Sequence, residues 1–147
     1  MASTTLTQII ALLKTKISAL KNGTAPIFTE VLDYAEGKFS AGFPAARIYE
    51  TGGNGNVADT HRNQRTFNFV AKLYQEQSNA GKTADEAATI MRAATDAVIT
   101  AFDQDRDLSR EVMTVRVVGF STDFSIQKGA FNFATIQIDV VVLVNSY

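Results

Sequence analysis

The stretch from Phe131 to Val144 does most to limit what this chain can become. Ala134, Ile136, Ile138, Val140, Val142 and Val144 fall on one parity, while Thr135, Gln137 and Asp139 fall on the other. Successive side chains of a strand point to opposite faces, so the pattern is that of a sheet strand with one face committed to a core. Its β-branched content agrees with that reading. Asn132 shares the core parity and is expected at the rim. Toward the C-terminal end the polar parity turns apolar at Val141 and Leu143. That end is therefore expected to be covered on its second face as well, by the chain's own N-terminal helix or by a neighbouring subunit.

The rest of the chain supplies partners for this strand. Leu6, Ile9, Ile10, Leu13, Ile17 and Leu20 recur at helical spacing, and Thr5 and Gln8 have the spacing of a capping box, so a helix is expected from about Thr5 to Lys21 with Asn22-Gly23 as its stop. Ile27 to Tyr34 reads as a short strand or extended segment. Gly37 to Pro44 is a connection whose Phe39 and Phe43 anchor it to the core. Ala45 to Glu50 is a strand, and Arg65 to Gln75 is another, with Phe67, Phe69, Ala71 and Leu73 on its inner parity. Between them Thr51 to Asn63 is Gly-rich and without periodicity, which predicts a long mobile loop at the tip of a hairpin.

A second helix is expected to begin at Thr83-Ala84-Asp85-Glu86, a capping box with acids in the first turn, and to bury Ala87, Ile90, Met91, Ala94, Val98 and Phe102. Val112 to Ile126 then forms a strand bent at Gly119. A turn at Gln127 to Ala130 makes it the antiparallel neighbour of Phe131 to Val144. The expected architecture is a single α+β domain, an antiparallel sheet of four to five strands with two main helices on one face.

Composition limits the classes of function. The chain has 147 residues, of which 46% are hydrophobic, enough for one domain with its own core. With 14 basic and 15 acidic residues the net charge is −1, which argues against a protein built to grip a polyanion. There is no cysteine, hence no disulfide framework and no thiol chemistry. No run approaches the ~18 apolar residues of a membrane span, and Leu6 to Leu13 is broken by polar residues in a way a signal peptide is not. Asn22-Gly23-Thr24 matches a glycosylation acceptor only by its letters.

Several motifs resemble chemistry and lack a necessary part. Gly81-Lys82-Thr83 sits where a phosphate loop ends, but the earlier glycine that such a loop needs is Glu76, and Thr83 is already explained as an N-cap. Asp103, Asp105 and Asp107 begin like a calcium loop, yet Leu108 stands at the required glycine and Thr114 at the required glutamate. The cluster reads first as a solvated acidic turn; because acids at a helix C-terminus are unfavourable, a contact with a partner or an ion is the alternative. His61 is the sole histidine and has no nucleophile or orienting acid patterned around it. Phe67 and Phe69 read as core residues, given the strand parity and balanced charge. No catalytic residue, metal ligand or cofactor site is assigned. Within the Gly-rich loop, Gly53, Asn54, Asn56, Asp59, His61, Arg62 and Arg65 are the candidate partner contacts.

The order of these features is more telling than any one of them. An N-terminal amphipathic helix leads to Phe43-Pro44-Ala45-Ala46-Arg47-Ile48-Tyr49 and a long polar loop. The aromatic strand Arg65-Thr66-Phe67-Asn68-Phe69-Val70-Ala71 follows, then an alanine-rich helix over Ala84 to Phe102, the Asp103–Leu108 acidic turn and two closing strands. From about Leu6 to Tyr147 this resembles the tail terminator, or tail completion, proteins of long-tailed bacteriophages. The resemblance implies an α+β subunit of a homo-hexameric ring, without enzymatic activity or cofactor. The ring would cap the tail tube, stop its growth and present a surface to the head. It also implies the partners: other copies of the chain, the tail-tube protein and a head–tail connector or stopper protein, with no membrane and no sequence-specific nucleic acid. The expected location is the head-proximal end of the virion tail, after assembly in the host cytoplasm. The family fixes no binding motif, so Val141, Leu143, Asp103, Asp105 and Asp107 are offered as the subunit interface on the local reading alone. A head–tail joining or neck protein, and a small-ligand-binding α+β domain, are the alternatives.

Overall fold

The structure, a computed structural model, describes residues 5–57, 62–76, 84–108, 112, 114–123 and 131–145. Among them the elements run α1 (Leu6–Ser18), β1 (Lys21–Asn22), β2 (Ala25–Pro26), β3 (Glu30–Leu32), β4 (Ala45–Val57), β5 (Arg62–Glu76), α2 (Ala84–Gln104), β6 (Thr114–Asp123) and β7 (Phe131–Asn145). β1 and β2 form a small antiparallel pair, and the other five strands form one sheet in the order β3-β4-β5-β7-β6. The fold is α+β, as the alternation of strand and helix patterns requires.

Every contact in the five-stranded sheet is antiparallel except the outermost, where β3 runs parallel to β4. The sheet is therefore mixed rather than wholly antiparallel. Parallel neighbours need a crossover of roughly a dozen residues, and residues 33–44 provide it. The core strand β7 lies between β5 and β6 and is antiparallel to both, so β5 and β6 run parallel with α2 as the crossover.

Register assigns the two faces. Ala46 and Ile48 of β4 stand opposite Leu73 and Ala71 of β5, which in turn face Ala134 and Ile136 of β7, and Phe69 faces Ile138. These side chains join Ile9, Leu13 and Ile17 of α1 and Met91, Ala94, Val98 and Phe102 of α2 in one buried cluster. Both helices thus cover the same face, and each does so with the stripe its sequence periodicity marked. Within α2, Thr95 is also buried and satisfies its hydroxyl by donating to the Met91 carbonyl at 2.8 Å.

Local chemistry sets the boundaries. The α1 capping box forms as its spacing predicts: Thr5 Oγ1 accepts from the Gln8 amide and the Gln8 side chain accepts from the Thr5 amide. The helix stops earlier than expected, with Ala19 as its C-cap, and Gly23 at φ 69° serves the turn between β1 and β2 instead. The capping box expected at Thr83 lies outside the described residues. The strand before the acidic turn's partner helix also differs from expectation. Thr51–Val57, expected as loop, continues β4, and Arg62–Asn63 belong to β5, so the paired ladder runs out to Val57 opposite Asn63. The glycine-rich composition that suggested a loop is accommodated by a bulge between Glu50 and Gly52, with backbone pairing resumed from Gly52 to Val57. A second bulge, between Val117 and Gly119, is the bend expected at Gly119. Among the described residues no helix is long and apolar enough to cross a membrane.

Candidate interaction surfaces

Among the described residues both helices lie on one face of the sheet, and the second face carries no helix. It is laid out in rows across β5, β7 and β6: Lys72–Thr135–Ser121, Asn68–Asp139–Arg116 and Thr66–Val141–Thr114. The middle row is knit together. Asn68 Nδ2 donates to Asp139 Oδ1 at 2.7 Å, and Arg116 Nη2 lies 3.9 Å from Asp139 Oδ2. The first contact is a charge-assisted hydrogen bond; the second is a loose, solvent-screened pair, since the Arg116 side chain is 74% exposed.

Val141 and Leu143 belong to this open face. Val141 stands between Thr66 and Thr114, and Leu143 stands opposite Gln64. Both are half-buried. Because α1 packs on the opposite face, the chain's own N-terminal helix does not cover them, and that expectation is corrected. The parity rule that made β7 a core strand is the physical reason: side chains one residue apart cannot reach the same helix.

The far end of the β4–β5 hairpin carries the candidate partner contacts. Gly53, Asn54 and Arg65 are exposed there. Gly53 pairs with Phe67, Asn54 with Thr66, and Gly55 with Arg65, so Gly53 and Arg65 share the helix side while Asn54 lies on the open side. A side chain on Gly53 would collide with the Thr66 carbonyl oxygen. Leu6, Glu50, Gly53, Arg65 and Phe67 help line a hollow of about 340 Å³ at this end. Asn56 and Arg62 continue the ladder through backbone pairing with Gln64 and Asn145, respectively. Asp59 and His61 lie outside the described residues.

The acidic turn has a structural purpose that its resemblance to a calcium loop concealed. Leu108, at the position a calcium loop reserves for glycine, adopts φ 46° and is 4% exposed in the core cluster. Val112 follows it inward, with its amide donating to the Asp107 carbonyl at 3.1 Å. Asp105 accepts from Lys16 Nζ at 2.7 Å, and both side chains are about three-quarters shielded, so the pair ties α1 to the end of α2. Asp103 is exposed in the last turn of α2. Asp105 is thus held in an ion pair within the chain, whereas Asp103 faces solvent. Among the described residues no three His, Cys, Asp or Glu side chains converge as metal ligands would.

Arg47 is the residue that reading the sequence missed. It lies on the open face, only 5% exposed, with Nη2 donating to the Gly37 carbonyl at 2.6 Å and Nη1 to the Tyr34 carbonyl at 3.3 Å. Its guanidinium lies 4.6 Å from the Phe39 ring centroid and 5.5 Å from that of Tyr74. Phe39 also meets Phe43 edge-on, and Tyr74 meets Phe133 edge-on. Phe39 and Phe43 do anchor the 33–44 crossover, but onto this aromatic cluster on the open face rather than into the core beneath the helices. An arginine within an apolar strand, following a loop with two phenylalanines, was the available signal. Glu30 secures the same crossover by accepting the amides of Ser40 and Ala41 at 2.8 and 3.0 Å. The Ala41 amide first, and the Ser40 amide next, hold its carboxyl below its ordinary pKa.

No protein-family model matches the chain, and no curated protein matches it.

Proposed function

We propose that this chain is a structural subunit that closes the end of a phage tail tube as a ring, stops elongation there and offers a surface for joining to the head. The reading starts from the element order and phrasing that resemble the tail terminator family. The structural observation that supports it is a sheet covered by helices on one face only. Its other face is left with half-buried Val141 and Leu143, at the end where the β4–β5 hairpin carries exposed Gly53, Asn54 and Arg65. A sheet with helices on one face, whose outer strands β3 and β6 have no further strand partner among the described residues, provides separate surfaces for lateral neighbours and for axial partners, which is what a cyclic assembly on a tube requires.

The test is polymerisation of purified tail-tube protein with and without this chain. Capping predicts shorter tubes whose ends carry the added protein. Tubes of unchanged length with bare ends would contradict it.

A further inference from the structure

Arg47 is a cation buried without an acid. Its two Nη groups donate to the Tyr34 and Gly37 carbonyls, and its Nε, also buried, has no acceptor. Among the described residues no carboxylate forms an ion pair with it. Glu30 feels its charge, but the Glu30 carboxylate is engaged by the Ser40 and Ala41 amides. Buried charges are ordinarily paired, because the interior solvates a lone one poorly. The rings of Phe39 and Tyr74 compensate only in part.

Beside Arg47 lies a hollow of about 420 Å³, lined by Lys38, Phe39, Phe43, Arg47, Tyr74 and Phe133. All four aromatic residues are half-buried and Lys38 is exposed, so the hollow is reached from solvent. Single exposed apolar residues need no explanation, but four part-exposed rings gathered around one hollow do. The place is where β4 begins and β5 ends: Tyr74 stands opposite both Ala45 and Phe133, at the other end of these strands from the Val57–Asn63 pair.

The lining selects what can enter. A cluster of rings often takes a cation, but here the cation against Phe39 and Tyr74 is already Arg47, and Lys38 adds a second positive charge. No acid lines the hollow. A suitable guest is therefore apolar in body and anionic at one point. Aromatic rings and arginine are the residues that dominate protein–protein contacts, whereas a small-molecule site encloses most of its ligand's surface. We propose that this hollow docks a segment of another protein that presents an aromatic side chain next to an aspartate or glutamate. The guest ring packs against the lining rings, and its carboxylate meets Lys38 within the field of Arg47. The proposal stands on this lining and not on the tube-capping reading.

Saturation-transfer NMR on the unaltered chain tests it with four probes: the capped tetrapeptide Gly-Asp-Phe-Gly, its Asn and Lys counterparts, and phenylacetate. The Asp peptide is expected to saturate with a Kd on the order of 1 mM, and the Asn peptide to bind about tenfold more weakly. The Lys peptide should bind more weakly still. Lys38→Glu, at an exposed position, should abolish the preference for Asp over Asn, and Phe133→Leu should weaken both peptides alike. Circular dichroism first shows each variant folded, and Tyr74→Leu replaces Phe133→Leu if that one is not. Equal binding of the Asp and Asn peptides, a preference for the Lys peptide, or a preference for Asp that survives Lys38→Glu overturns the proposal. Phenylacetate binding as tightly as the Asp peptide overturns it in favour of a small-molecule site. This chain's own Asp33-Tyr34 has the acid–aromatic pattern, but it lies in the same crossover as the hollow, so self-docking through it would give a two-fold dimer. Such a dimer, seen by sedimentation velocity and dissociated by the Asp peptide, overturns the proposal in favour of a second copy. No saturable binding of the Asp peptide overturns it and leaves the tube-capping reading standing.

Discussion

Val140 and Val141 are adjacent in sequence and lie on opposite faces of the sheet: Val140 is fully buried beneath the helices, whereas Val141 is half-buried on the face without helices. The contrast gives a direct prediction. Val140→Asp places an unpaired carboxylate in the core and is expected to abolish folding, since an uncompensated buried charge costs several kcal/mol of a total stability of about 5–15 kcal/mol. Val141→Asp should leave a folded chain, destabilised by about 1 kcal/mol or less. Thermal melts by circular dichroism compare the two, and equal loss at both positions would mean the second face is packed more tightly than described.

Arg47 is expected to be the most sensitive polar residue. Arg47→Ala removes the donors for the Tyr34 and Gly37 carbonyls and the cation beside Phe39 and Tyr74. A loss of about 2–4 kcal/mol is expected from stranded acceptors and lost cation–π contact. Arg47→Lys should recover only part of it, because an ammonium cannot reproduce the planar fork. Chemical denaturation measures the loss, and hydrogen exchange should locate it in residues 33–43.

Two glycines three residues or fewer from the β4 bulge should behave differently. Gly53→Ala drives a methyl into the Thr66 carbonyl and is expected to cost about 1–3 kcal/mol or shift the hairpin register. At Gly55 the nearest atom to an added Cβ is the Gln64 carbonyl oxygen at 3.7 Å, an ordinary contact, so Gly55→Ala should be nearly neutral. Thermal melts of the two variants check the difference, and the cross-strand amide protection of residues 63–67 shows whether register is kept.

Glu30 gives a signed pH dependence. Its pKa is lowered in the folded chain by the Ala41 and Ser40 amides, so the unfolded chain binds the proton more readily. The contribution is complete above the ordinary glutamate value and fades as pH falls toward the lowered folded one. Stability of the native chain should therefore decline through that acidic window more steeply than that of Glu30→Gln. Urea unfolding across the window measures it; parallel curves would mean the carboxylate's partners are not retained in solution.

The sequence was most legible where one periodicity dominated. The α1 and α2 stripes, the inner parity of β5 and the whole of β7 were evident because each buries a single face against a continuous core. Thr51–Val57 reads as loop because glycine and asparagine are poor strand formers and give no apolar parity; the ladder to β5 nonetheless holds them in strand. The parallel edge strand β3 was too short to state its direction. Arg47 was hidden for another reason. Its partners are two carbonyls and two rings brought together by the crossover, and nothing in local spacing announces a non-local cluster of that kind. The acidic turn was read for the chemistry of its carboxylates, when Leu108 and Val112 entering the core explain its shape.

The ring itself is tested most directly by imaging the purified chain, alone and with tail tubes, in negative stain. Discrete closed rings of uniform size that also occupy tube ends are expected. Single subunits at high concentration, together with tubes whose ends remain bare, would contradict it.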